Sequence, residues 1–168
     1  MNADKFSFIA HRDHDYCNPI AAPKVERLLD LLPLDAGSRV LDLGCGRAEL
    51  ALRIIERFGS TVVAVERSSY MLDAARERAE WTGALAKLHL DDRDIRAFRA
   101  DPETFHLAVM LGAGGIDGGV AGICRTLRGW TTPGPVTVTT RSSSGRPKRT
   151  ASCTAAAVAT FCTTTCTA

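Results

Sequence analysis

No stretch of the sequence comes near the roughly 18 consecutive apolar residues that a membrane-spanning helix needs, so no membrane partner is expected. The N-terminal MNADKFSFIAHRDHD lacks the basic start and apolar stretch of a secretory signal, which makes a cytoplasmic location the expectation. In that reducing setting the six cysteines are expected as thiols. Acid is missing from the far end: Asp117 is the last Asp or Glu, and Arg125, Arg128, Arg141, Arg146, Lys148 and Arg149 follow it. Taking those six from the 21 basic residues leaves fewer than the 19 acidic side chains, all of which lie within residues 1–117. The formal charge of +2 therefore belongs to the end of the chain. A mildly acidic body gives no electrostatic footprint for nucleic acid. With 168 residues, 45% hydrophobic and 24% charged, the chain is neither wholly disordered nor collagen-like, and one domain is expected.

What is present is an alternation of strand and helix patterns. Pro23 suits a first helical position, and Val25, Leu28, Leu29 and Leu32 follow at helical spacing. The apolar run SRVLDLG (38–44) predicts a buried strand. A helix over 47–58 carries Leu50, Ile54 and Phe58 on one face and stops at Gly59. TVVAVE (61–66) is β-branched and predicts the second strand. A helix over 69–82, strands at 87–90 and 105–111, a helix over 119–130 with Val120, Ile123, Leu127 and Trp130 in one stripe, and a strand from 135 to 139 complete the series. Parallel neighbours need crossover helices, so this order predicts an α/β fold with a doubly wound, mainly parallel sheet and helices on both faces. Ligands in such sheets bind beyond the carboxyl ends of the strands.

The first strand leaves as Asp42-Leu43-Gly44-Cys45-Gly46-Arg47-Ala48-Glu49. Two alternating glycines let the backbone turn tightly and come close to a ligand. Asp42 lies where burial is costly without a donor partner, and Glu66 ends the next strand, where an acid can accept from both ribose hydroxyls. Structural glycines without a ligand, or a dinucleotide site, are the rival readings. The dinucleotide fingerprint G-x-G-x-x-G is not met, because its last glycine is Glu49 here, a negative charge where a pyrophosphate would lie.

VLDLGCGRAEL followed by VVAVERSSYML resembles the first two motifs of class I S-adenosylmethionine-dependent methyltransferases, with Ala48 in place of a third glycine. The likeness runs from about residue 22 to 140. It implies a Rossmann-like fold with S-adenosyl-L-methionine as cofactor. By the resemblance, Gly44 and Gly46 sit against the methionine moiety with Cys45 between them, and Asp42 helps hold the ammonium group. Glu66, with Arg67 beside it, clasps the ribose. Met71 flanks the adenine, Asp94 and Ile95 meet its amino group and ring, and Leu111 lines the donor and acceptor pocket. An acidic loop face shared with Asp91 and Asp92 explains Asp94 almost as well, and ordinary core packing explains Met71 equally well. His106 departs from the family, which often has Asp there.

The polar cluster HRDHDYCNP (11–19) is expected to fold over the cofactor mouth, with His14 or Tyr16 as weak candidates for a general base. His11, His14 and Cys17 match no structural zinc spacing well, so no metal is expected. Leu111-Gly112-Ala113-Gly114-Gly115 is not the motif of amino-methylating DNA enzymes, and no Pro-Cys pair offers the nucleophile of cytosine C5 methylation. A small-molecule acceptor remains by elimination, with the oligomeric state open. The expected division is a cap segment 1–21, a donor-binding domain 22–140 and a tail 141–168. The tail holds no acid, no Leu, no Ile and one aromatic, so it cannot bury enough apolar surface to offset its ordering entropy. A disordered or out-of-frame tail from about Gly134, with the family's last strands missing, is the expectation.

Overall fold

A computed structural model describes residues 2–18, 20–113, 116–133 and 136–139. Expectations for Gly114, Gly115, Gly134, Pro135, the side chain of Val120 and residues 141–168 fall outside the described residues. The elements in chain order are α1 (Ala3–His11), α2 (Ala22–Leu29), β1 (Arg39–Leu43), α3 (Glu49–Phe58), β2 (Thr61–Glu66), α4 (Ser69–Thr82), β3 (Leu88–Asp92), β4 (Leu107–Leu111), α5 (Gly119–Trp130) and β5 (Val136–Thr139).

The five strands form one parallel sheet in the order β3-β2-β1-β4-β5. The chain builds outward from β1 to β3, then crosses back to lay β4 on the other side of β1. This reversal opens a crevice beyond the carboxyl ends of β1 and β4, the place where such sheets bind ligands. β1 is the central strand and is buried at every residue but its first, as expected for a strand covered on both faces.

Alternation along β1 divides the core. Val40 packs with Val25, Leu28 and Leu29 of α2, Leu50 and Ile54 of α3, and Ala75 and Ala79 of α4. Leu41 and Leu43 pack on the other side with Met110, Phe98, and Ile123, Leu127 and Trp130 of α5. Ile54 has no exposed surface, so Ile54→Ala costs about 2–5 kcal/mol in lost burial and cavity formation. Asp42 shares the side-chain parity of Val40 and is almost fully buried. The fold thus carries a carboxyl to the crevice through its central strand.

Several sequence expectations change: α2 ends at Leu29, short of Leu32, α3 begins at Glu49 rather than at 47, and β3 runs Leu88–Asp92 rather than 87–90. The cap segment is helical over Ala3–His11, with Asn2 accepting from the Asp4 amide at 3.0 Å as its N-cap. The fourth strand begins at Leu107, while Phe105 makes an isolated bridge to Thr131. His106 spans this join: its Nδ1 accepts from the Arg39 amide at 2.9 Å and its own amide donates to the Arg39 carbonyl at 2.8 Å. The histidine thereby holds the start of β4 against the start of β1.

Candidate functional site

After β1 the chain bends across β2: the Gly44 and Cys45 amides donate to the Val65 carbonyl at 2.8 and 3.2 Å. Gly44 and Gly46 have φ of +72° and +55°, the left-handed region that favours glycine. Space is tight as well. A Cβ on Gly44 would overlap the Ala113 methyl, and one on Gly46 would lie 3.1 Å from Cys17 Sγ. Glu66 closes the bend from the other side. Its Oε2 accepts from the Gly46 amide at 3.1 Å, and its Oε1 from the Arg67 and Ser68 amides at 2.9 and 3.0 Å.

A cavity of about 40 Å³ lies at this bend, lined by Asp42, Gly44, Cys45, Gly46, Arg47, Glu49, Leu50 and Leu111 from the sheet side. Asp15, Tyr16, Cys17 and Asn18 line it from the N-terminal side. This strap is pinned at several points. Asn18 Nδ2 donates to the Leu111 carbonyl at 3.0 Å, and the Arg47 guanidinium donates to the Arg12 carbonyl at 2.7 Å and to the His14 carbonyl.

Charge in the cavity is unevenly balanced. Burial, then the nearby Glu66 charge, pushes the Asp42 carboxyl up to about 7, with no hydrogen bond set against them. Burial, then Asp42 and Glu66, pushes the Cys45 thiol well above its ordinary value, which argues against a thiolate nucleophile. Glu49 is buried at the first position of α3 but is paired, with Arg53 Nε at 2.7 Å and with Arg78. A pyrophosphate at this helix terminus would meet that carboxylate.

Of the expected site residues, the cavity gathers Asp42, Gly44, Cys45, Gly46, Leu111 and Tyr16. Glu66 joins them through Gly46. Met71 is buried in α4, and Arg67 reaches Asp4 of α1 at 3.3 Å. Asp94 lies apart from the cavity. Its carboxylate takes both Nε and Nη2 of Arg96, at 2.9 and 2.6 Å, which holds it well below the usual carboxylate range. Ile95 packs on the α5 side of the core. The His14 ring is exposed and lies edge-on to His11 rather than in the cavity. Among the described residues no cluster of three or more His, Cys, Asp or Glu is placed to hold a metal ion. Arg47, Glu49, Asn18 and Asp15 were not singled out as site residues from sequence. Arg47 and Glu49 stand inside the glycine motif, and Asp15 and Asn18 stand inside the cluster 11–19 expected over the cofactor mouth, but nothing in either motif tells which of its members line the cavity.

The sheet order and the glycine bend at its reversal point define a Rossmann-like α/β domain built to hold a nucleotide-type ligand. More narrowly, residues 40–133 match the family model described as a methyltransferase domain, and the chain belongs to that family. It is 30% identical over 122 residues to the uncharacterized protein YjhP of Escherichia coli (strain K12), covering 73% of this chain and 49% of that protein. It is 37% identical over 70 residues to a 27-O-demethylrifamycin SV methyltransferase of Amycolatopsis mediterranei (strain S699), covering 42% of this chain and 24% of that one. Among solved structures it resembles a SAM-dependent methyltransferase from Thiobacillus denitrificans in complex with S-adenosyl-L-homocysteine. That match has a TM-score of 0.71 and 29% identity, over 79% of this chain and 53% of the other. The chain spans about half or less of the length of the curated relatives it matches. No helix among the described residues is long and apolar enough to cross a membrane.

Proposed function

We propose that this domain, taken as residues 22–140, binds S-adenosyl-L-methionine in the crevice between β1 and β4 and transfers its methyl group to a small-molecule acceptor. The observation that carries the proposal is the meeting of Asp42, the Gly44–Gly46 bend and Glu66 at the reversal of strand order. The residues fit the donor. Asp42 offers an unpaired buried carboxyl for an ammonium group. Glu66 already accepts three amide hydrogens, so of roughly four acceptor positions on a carboxylate about one is free for a ribose hydroxyl, and a second is freed if Gly46 lets go. Ser68 Oγ, two residues beyond Glu66, is buried without a partner and supplies another polar contact at that end. Met71 at the start of α4, Arg67 after β2, and Asp94 and Ile95 after β3 are the residues assigned to the adenine end.

The bound sulfonium supplies an already activated methyl group. The chain's work is to orient it and to exclude water, and proximity and orientation can supply about 7–11 kcal/mol of a bimolecular barrier. Leu111 and the strap give the reacting region its apolar and polar walls. With room for only a few waters at most in the present cavity, donor entry requires the strap, held by the Asn18–Leu111 bond and by Arg47, to yield.

A small-molecule acceptor is supported by the mildly acidic body and by the likeness to a methyltransferase named for 27-O-demethylrifamycin SV. Titration calorimetry with S-adenosyl-L-homocysteine and with NAD tests the donor assignment. Saturable binding of the first and none of the second is expected, and the reverse result overturns it.

A further inference from the structure

Three polar groups around the cavity lack partners. The Tyr16 hydroxyl and Arg47 Nε are buried with no hydrogen-bond partner among the described residues, and the Asp42 carboxyl accepts none. All three residues line the same space. Two donors and one acceptor in one small cavity complement an α-amino acid zwitterion, and leaving buried polar groups unpaired is costly. We infer that Tyr16 and Arg47 hold the α-carboxylate of the donor's amino-acid end while Asp42 takes its ammonium. This rests on the donor site proposed above and adds the residues that read the carboxylate.

The geometry around each donor supports the assignment. Each terminal nitrogen of Arg47 spends one hydrogen on the strap, Nη1 on the Arg12 carbonyl and Nη2 on the His14 carbonyl, while Nε is the buried guanidinium donor without a partner among the described residues. One arginine then does two things: it fastens the strap to the glycine bend and presents a cationic N–H to the cavity. Tyr16 is only 7% exposed, and the Arg53 guanidinium sits 5.9 Å from its ring centroid, which fixes the ring's place. Burial pushes the phenol up to about 12, partly countered by Arg53 and reinforced by Glu49, Glu26 and Asp15. A phenol of that kind keeps its proton at neutral pH, so it serves as a hydrogen-bond donor and not as a base. Of the other carboxylates that line the cavity, Asp15 is exposed to solvent, and Glu49 is paired with Arg53 and Arg78 and so repels an incoming carboxylate less than a free charge would.

Calorimetry with two ligands tests the inference: S-adenosyl-L-homocysteine and its decarboxylated analogue, S-adenosyl-3-thiopropylamine. Charge-assisted bonds to a desolvated carboxylate are worth about tenfold or more in affinity, so the unaltered protein is expected to prefer the first ligand by at least that factor. Tyr16→Phe and Arg47→Lys are each expected to cut the preference about fivefold or more, with affinity for the decarboxylated ligand little changed. A variant that weakens both ligands equally has a structural role only, and that result overturns the assignment. So does an unaltered protein that binds both ligands equally well. If the unaltered protein binds neither ligand, the donor site itself falls and this inference with it.

Discussion

The Glu66 carboxylate accepts a hydrogen bond from the Gly46 amide at 3.1 Å, tying the tip of β2 to the bend that follows β1. The same carboxylate caps the Arg67 and Ser68 amides at the entrance to α4, so it organises the site before any ligand arrives. Its removal therefore acts twice. Glu66→Ala is expected to weaken S-adenosyl-L-homocysteine binding at least about tenfold and to lower stability by about 1–3 kcal/mol, since three amides lose their acceptor. Calorimetry and urea melts measure the two effects separately. Unchanged affinity would remove Glu66 from the donor site while leaving its structural role intact.

Asp42 predicts a pH dependence of opposite sense to that of a salt-bridged carboxylate. The folded chain holds its proton up to about pH 7, whereas an unfolded Asp loses it near about pH 4. The stability this group contributes is full below about pH 4 and is lost as pH rises through about 7, on the order of a few kcal/mol in all. Asp42→Asn should flatten that slope and stabilise the unliganded protein at about pH 8. Donor affinity should move the other way. An ammonium partner needs the carboxylate, so binding should strengthen from about pH 5.5 to 7.5 in the unaltered protein and stay flat in the Asn variant. Parallel pH profiles of melting and of calorimetric affinity check both, and a flat affinity profile in the unaltered protein would take Asp42 out of the ammonium role.

Much of this was legible in the residues because the physics is local. β2 and the helices at 69–82 and 119–130 were placed to the residue by β-branched runs, apolar spacing and terminal glycines. The helix Ala3–His11 was not, because it buries no residue. Phe6 and Ile9 remain exposed, so no core-facing stripe announces it and only the Asn2 cap does. At the site, Asp42, Gly44, Gly46 and Glu66 were legible from their spacing around two strands. Their mutual geometry was not. The Glu66–Gly46 bond depends on β1 pairing with β2, and the Asn18–Leu111 bond joins residues 93 apart in sequence. Asp94 shows the limit most plainly: it follows the end of β3, but whether its carboxylate faces a ligand or Arg96 is decided by a neighbour two residues on.

Arg53 is expected to matter far more than the other arginines of the surface. It bonds Glu49, whose side chain is only 11% exposed, and Glu26, and it sits over the Tyr16 ring. Arg53→Met leaves the buried Glu49 carboxylate to Arg78 alone and removes the contact with the Tyr16 ring, for which about 1–3 kcal/mol is expected. Arg76→Met breaks an exposed i,i+3 pair with Asp73, for which less than about 1 kcal/mol is expected. Urea denaturation of the two variants decides the matter, and equal losses would mean that the Glu49 cluster is no more than a solvated surface network.

Ala48 stands where a glycine would be the simplest choice. It enters α3 with φ +60° and ψ +24° and is fully buried. The left-handed conformation costs an L-residue about 1–2 kcal/mol, which Ala48→Gly relieves. Against this, the glycine loses a buried methyl worth about 0.8 kcal/mol and gains about 0.5–1 kcal/mol of unfolded-chain entropy. The opposing terms nearly cancel, so Ala48→Gly should change stability by less than about 1 kcal/mol in either direction. Ala48→Val has no such offset: a β-branched side chain at positive φ, forced into a site with no free surface, should cost more than about 2 kcal/mol. Denaturant melts of the pair test whether backbone conformation sets the limit here. A valine variant as stable as the unaltered protein would show that the bend relaxes freely, and the rigid glycine cradle for the donor would have to be abandoned.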